Sequence, residues 1–160
     1  MSESKLRVAV VGAGEFGRNH ARIYRQIEDA DLVGIVDTDS ERAAKTAAEF
    51  STAVLPDLDS LRGKVDAASV SAPTVYHAAI GCRLLEMGID VLVEKPMAAS
   101  VAEADRLIET AHAHGRILQV GHLERFNPAV RAVAGIVQQP LYFEVHRLGI
   151  FTPRSLDIDV

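Results

Sequence analysis

Apolar runs of strand length alternate along this chain with segments of helical period, and that rhythm limits the fold more than any single motif. The runs are LRVAVV (6–11), LVGIVD (32–37), a weak TAVL (52–55), AASVSA (67–72), IDVLVE (89–94) and RILQVG (116–121). Val, Ile and Leu follow one another in them without polar alternation, which suits strands covered on both faces, as in a parallel sheet. Between the runs, Ala43, Ala44, Ala47 and Ala48 predict one helical stripe, with Thr38 and Glu41 as the capping box that starts it. Val75, Ala78, Ala79, Cys82 and Leu85 stripe a second helix that closes at Gly88. Ser100 and Glu103 form another capping box, ahead of apolar positions Val101, Ala104, Leu107, Ile108 and Ala111. Strands alternating with helices predict an α/β fold built on a doubly wound parallel sheet.

The rhythm changes after Gly121. Pro128 lies early in a predicted helix of residues 127–137, and LYFEVHRLGIF (141–151) reads as a long strand with partial alternation. That strand lacks a partner to cover its ladder groups and its apolar side chains. Residues 1–122 are therefore expected to form one domain, and residues 123–160 a connecting helix and the first strand of a truncated second α/β domain. An uncovered strand recruits other chains, which predicts a homo-oligomer formed through the C-terminal strand region.

Bulk composition narrows the partners. With 48% apolar and 24% charged residues the 160-residue chain is globular, and a net charge of −5 gives no electrostatic reason for a nucleic acid or a membrane surface as partner. The N-terminal apolar stretch is too short to span a bilayer and lacks the cleavage pattern of a secretory leader. The single cysteine, Cys82, excludes an internal disulfide and a cysteine-built metal cluster, so a reducing, cytoplasmic compartment is expected. A small molecule becomes the default ligand.

Its chemistry is suggested by GAGEFG, Gly12 to Gly17, which follows the first strand and opens the first helix. Gly12 permits the tight turn, Gly14 lets a pyrophosphate approach the backbone, Gly17 allows close packing, and the helix N-terminus favours the phosphate charge. Asp37 ends the second strand twenty residues after Gly17, where a carboxylate accepts from ribose hydroxyls. Its charge opposes a 2′-phosphate, so NAD is favoured over NADP; Arg42, one helical turn on, is the counter-argument. SAPTVYH (71–77) leaves the fourth strand at the carboxyl edge, where ligands of open α/β sheets bind. Ser71, Ala72 and Thr74 can line the cleft there. His77 either faces it or is satisfied by a local hydrogen bond.

Lys95 ends the fifth strand on the same edge, followed by Pro96. A partly desolvated lysine there can donate to a substrate hydroxyl and help to lower its pKa; the alternative is an ion pair with a loop carboxylate. Cys82, on an apolar stripe, reads as a core thiol, and His112 and His114 as solvated residues of a helix end.

VVGAGEFG, VD at the second strand, SAPTVYH, VEKPMA and VGHLERFNP resemble, in order and spacing, the N-terminal domain of the glucose-fructose oxidoreductase / inositol dehydrogenase / rhizopine catabolism (Gfo/Idh/MocA) family. The resemblance covers essentially the whole chain, and Glu-Lys-Pro is its most specific part. It implies an NAD(P)-binding Rossmann fold and oxidoreductase activity on a sugar, cyclitol or nucleotide sugar. It further implies that Lys95 is the active-site lysine, that Lys95-Pro96 is a cis peptide, and that Arg125 to Pro128 lead to a second domain holding a catalytic histidine. The expected cofactor-site residues are Gly12, Gly14, Glu15, Phe16 and Gly17, then Asp37, Thr38 and Arg42, then Ser71, Ala72, Pro73, Thr74 and His77, with Glu94 and Lys95; no metal is expected. A non-catalytic NAD(H)-binding sensor or assembly module is the alternative, but it gives no reason for the charges at Glu94 and Lys95.

Overall fold

The computed structural model describes residues 4–139 together with Leu141, Tyr142, Glu144 and His146. Six strands form one sheet: β1 (Leu6–Val11), β2 (Ala30–Val36), β3 (Ala53–Val54), β4 (Ala67–Val70), β5 (Asp90–Val93) and β6 (Leu118–Val120). Their order is β3-β2-β1-β4-β5-β6, and every pairing is parallel. Helices α1 (Glu15–Tyr24), α2 (Ser40–Glu49), α3 (His77–Glu86) and α4 (Val101–His114) connect them. The order reverses between β1 and β4, so the loops leaving these two strands diverge and open a crevice at the carboxyl edge.

The unbroken apolar runs have a direct cause. Val8 and Val10 pack on one side with Ala21, Ala43 and Ala47, while Ala9 and Val11 pack on the other with Leu84, Leu85 and Leu107. Successive side chains of a strand point to opposite faces, and here both faces are covered. On β2 the register slips opposite Val8 and Ala9, so that Leu32 and Ile35, three apart, share one face. A bulge of this kind places one extra residue between them.

Helix details differ from the sequence expectation. The cap of α2 is Asp39, not Thr38: its carboxylate accepts from the N–H groups of Glu41 and Arg42. The buried stripe of α2 is Ala43, Thr46 and Ala47, and Ala44 and Ala48 are exposed. Ser100 caps α4 as expected, while Glu103 reaches back to the N–H of Ala99. On α4 the buried positions are Leu107 and Ala111, with Val101 and Ile108 exposed. α3 begins only at His77, and Val75 lies exposed in the preceding 3-10 turn, Thr74–Tyr76.

The chain divides into two compact units, residues 1–121 and 122–160. In the second, a 3-10 turn at Leu123–Phe126 leads to α5 (Pro128–Ile136), capped by Asn127 through the N–H of Ala129 at 2.9 Å. Most of the expected strand 141–151 lies outside the described residues. No described helix is long and apolar enough to cross a membrane.

Candidate functional site

Because all six strands run parallel, the loops after β1, β2, β4 and β5 emerge together on one edge. Gly12 turns the chain with φ of +92°, in the left-handed region that favours glycine. A Cβ there would lie 2.7 Å from the Ala72 nitrogen, so the β1 and β4 loops touch across the crevice. Gly17 lies so close beneath the turn that its own Cβ would sit 1.7 Å from the Gly12 carbonyl oxygen. Gly14 differs: no heavy atom lies within 4 Å of where its Cβ would stand, and no side chain caps the start of α1. The first turn of α1 therefore opens onto free space, beside a cleft of about 470 Å³ lined by Arg18, Arg42, Lys45, Thr46 and Glu49 among others. Arg18 is already paired with Glu49 there.

Asp37 closes the β2 side. Its Oδ2 accepts from the Ala13 N–H at 2.5 Å and Arg42 Nε at 3.0 Å; its Oδ1 accepts from the Asp39 N–H at 2.8 Å and Arg42 Nη2 at 2.6 Å. Burial alone would push this carboxyl up. Donation from Arg42, Asp39 and Ala13 outweighs it and holds the group below its ordinary value. The two carboxylate oxygens offer about four acceptor positions, and four donors fill them. Thr38 is exposed beside this cluster.

On the β4 side, the Ser71 Oγ is buried and has no hydrogen-bond partner among the described residues. Thr74 is buried and Pro73 exposed. His77 is 1% exposed, and both ring nitrogens are engaged by backbone: Nε2 lies 2.8 Å from the Ala72 carbonyl oxygen and Nδ1 lies 3.0 Å from that of Pro96. Of the two readings open for His77, the geometry is that of a closed-in, bonded ring rather than one facing the cleft.

The two charges at the end of β5 go separate ways. Glu94 turns inward, 7% exposed, and accepts from His20 Nε2 on α1 at 2.9 Å and from the Lys95 N–H at 3.2 Å. Burial opposes its ionisation, but these donors and the nearby Lys95 charge hold its carboxyl below the ordinary value. Glu94 thus braces β5 against α1 instead of lining the cleft. Lys95 turns outward, with Nζ 5.9 Å from the centre of the exposed Phe16 ring. Among the described residues it makes no ion pair, so the loop carboxylate expected as its alternative partner is not found there. The Lys95-Pro96 peptide is cis. Glu15 is exposed at the first position of α1.

Sequence reading missed His20 as the partner of Glu94, and Tyr24 as the partner of Ser69 at 2.5 Å. Both lie on α1 after the glycine turn. Nothing local signals them, since their partners are 74 and 45 residues away.

Comparison with known proteins agrees with this geometry. Residues 6–122 match a family described as an oxidoreductase family with an NAD-binding Rossmann fold. The chain is 41% identical over 157 residues to UDP-N-acetylglucosamine 3-dehydrogenase of Acidithiobacillus ferrooxidans, covering 97% of this chain and 49% of that one. It is 37% identical over 152 residues to inositol 2-dehydrogenase 4 of Saccharopolyspora erythraea, covering 88% and 45%. Among solved structures, the Acidithiobacillus enzyme superposes with a TM-score of 0.78 at 36% identity, over 82% of this chain and 43% of that one. GenD2 from gentamicin A biosynthesis, solved with NAD, gives a TM-score of 0.71 at 32% identity, over 76% and 35%. The chain spans about half the length of the curated relatives it matches. With a glycine turn at the switch point, a carboxylate closing β2 and Glu-Lys-Pro ending β5, the chain belongs to the Gfo/Idh/MocA oxidoreductase family, in its NAD-binding Rossmann domain.

Proposed function

We propose that the whole protein is an NAD-dependent oxidoreductase that moves a hydride between the nicotinamide and a hydroxyl-bearing carbon of a sugar, cyclitol or nucleotide sugar. Residues 1–122 form its cofactor domain in this reading, and residues 123–160 lead into a second, substrate-facing domain. The cofactor supplies the hydride acceptor or donor; the protein orients and moves protons.

The residues fit a dinucleotide. The observation that carries the reading is Gly14, whose missing side chain leaves the uncapped start of α1 open to a phosphate. The buried Ser71 hydroxyl, whose backbone abuts the Gly12 turn, has no hydrogen-bond partner among the described residues and suits a polar group of such a ligand. Gly12, Glu15, Phe16 and Gly17 shape the turn, Asp37 meets the adenosine ribose with Thr38 and Arg42 beside it, and Ser71 to Thr74 wall the cleft. Lys95 acts on the substrate hydroxyl: with no ion pair among the described residues, its ammonium can donate and favour loss of the hydroxyl proton. Dehydrogenase names among the relatives, on UDP-N-acetylglucosamine and inositol, support a polyhydroxylated substrate. The buried, unpaired Cys82 suits a cytoplasmic setting.

Gly14→Ala tests this directly. With φ of −64° at Gly14 and nothing within 4 Å, the new methyl group leaves the fold intact apart from about 1 kcal/mol at the helix cap. It would occupy the space of the pyrophosphate. Calorimetric titration should show NAD binding lost while the melting curve stays nearly unchanged; full-strength binding in the variant would remove the dinucleotide from this site.

A further inference from the structure

His77 is buried to 1% exposure at the first position of α3, away from bulk water, yet it is titratable and polar. The atoms facing its ring explain why a buried histidine is kept there. Nε2 lies 2.8 Å from the Ala72 carbonyl oxygen, and Nδ1 lies 3.0 Å from the Pro96 carbonyl oxygen. A carbonyl oxygen only accepts, so both contacts are hydrogen bonds only when both nitrogens carry protons. A neutral ring would hold one loop and set a bare nitrogen lone pair against the other.

The two loops that the ring joins are the ones whose spacing matters. Ala72 abuts the Gly12 turn, and Pro96 follows Lys95 directly. The β4–β5 ladder delivers its last backbone bond from the Glu94 N–H to the Val70 carbonyl at 3.0 Å. Beyond that point the strands part, and His77 spans the gap.

We propose that His77 is a positioning residue, doubly protonated, that fixes the Lys95 backbone against the wall of the dinucleotide cleft. The proposal rests on the reading of Lys95 given above, because a fixed distance between the lysine and the cleft matters only if the lysine acts there.

The test uses the chain labelled with ¹⁵N-histidine at neutral pH. Both His77 ring nitrogens should show the shifts and proton couplings of N–H groups; one bare nitrogen overturns the bridge. That measurement needs no variant. His77→Phe, checked for fold by circular dichroism, should then raise amide exchange at Lys95 and Met97 about tenfold while leaving Gly12 and Gly14 unchanged. His77→Gln, which keeps one donor, should recover part of the protection. Unaltered exchange at Lys95 and Met97 in a folded His77→Phe chain overturns the positioning role. NADH titration of the wild-type chain separates the two ideas: absent binding defeats the functional reading, while the ring nitrogens still judge the bridge.

Discussion

Asp37→Ala should invert the cofactor preference of this chain, and the structure sets the size of the effect. The carboxylate is 4% exposed and holds the N–H groups of Ala13 and Asp39 as well as two donors of Arg42. All its acceptor positions are filled, so ribose hydroxyls gain them only if Arg42 lets go. Which interaction wins is decided by exposure. The pair is bidentate on a buried carboxylate, but the Arg42 side chain is 46% exposed, and solvent screening holds its contribution to about 1 kcal/mol. Hydrogen bonds from ribose to a charged acceptor contribute about 1.5–3 kcal/mol, so a ribose bound there would displace the arginine. Removing Asp37 should therefore weaken NAD about 10- to 100-fold. NADP should tighten about tenfold, because the repulsive charge goes and Arg42 is released to meet the 2′-phosphate. Arg42→Ala has the opposite sign for NAD, with up to about fivefold tighter binding once the competing donor is gone. Calorimetric titration of wild type and both variants with NAD and NADP reads all these constants. Equal or tighter NADP binding by the wild type, or an unchanged ratio in Asp37→Ala, would refute the reasoning and pass the role to Arg42.

Gly17→Ala should destabilise the fold by about 3 kcal/mol or more, because its methyl group would meet the Gly12 carbonyl at 1.7 Å and backbone must shift; a melting temperature less than a few degrees lower would contradict the packing. Glu94 and Asp37 are held below their ordinary values of 4.5 and 3.8, so their contribution to stability is complete above those values and is lost as pH falls through the lower folded-state values. Melting temperature should thus hold steady down to about pH 5 and then decline, with a shallower decline in Glu94→Gln, and an unaltered acid limb in that variant would count against it. Lys95→Ala, which removes a contact with the Phe16 ring and a weak charge attraction to Glu94, should change stability by about 0.5 kcal/mol or less. In the whole protein it should lower kcat strongly with NAD affinity nearly intact, and undiminished turnover would make the lysine structural.

The sheet was legible because its strands are buried on both faces. Val8 and Val10 go one way and Ala9 and Val11 the other, so the sequence shows an unbroken apolar run that no surface strand would carry. Helix faces were less legible. Alanine tolerates either environment, which is why Ala44 and Ala48 read as core and lie outside it. The cap of α2 moved one residue because Asp37 also accepts from the Asp39 N–H, carrying the turn past Thr38 before the helix begins. The polar partners of the site were legible only in part: a local hydrogen bond was one of the two readings for His77, and the Ala72 carbonyl supplies it. His20 meets Glu94 across 74 residues, and His77 meets carbonyl groups of the backbone, which have no residue type to betray them.

The adjacent opposite charges at the end of β5 have one explanation in this geometry. Successive residues of an extended chain face opposite ways, so a single step along the chain divides the pair between interior and exterior. Glu94 goes in, where a buried carboxylate is tolerable only with donors, and His20 and the Lys95 N–H supply them. Gly121 leaves room for it, since a Cβ there would stand 3.0 Å from Glu94 Oε1. With the carboxylate committed to α1, it does not clamp the ammonium beside it. Lys95 therefore turns outward beside the Phe16 ring, without an ion pair among the described residues, on a backbone held from both sides, by Glu94 at its own N–H and by His77 at the carbonyl of the next residue.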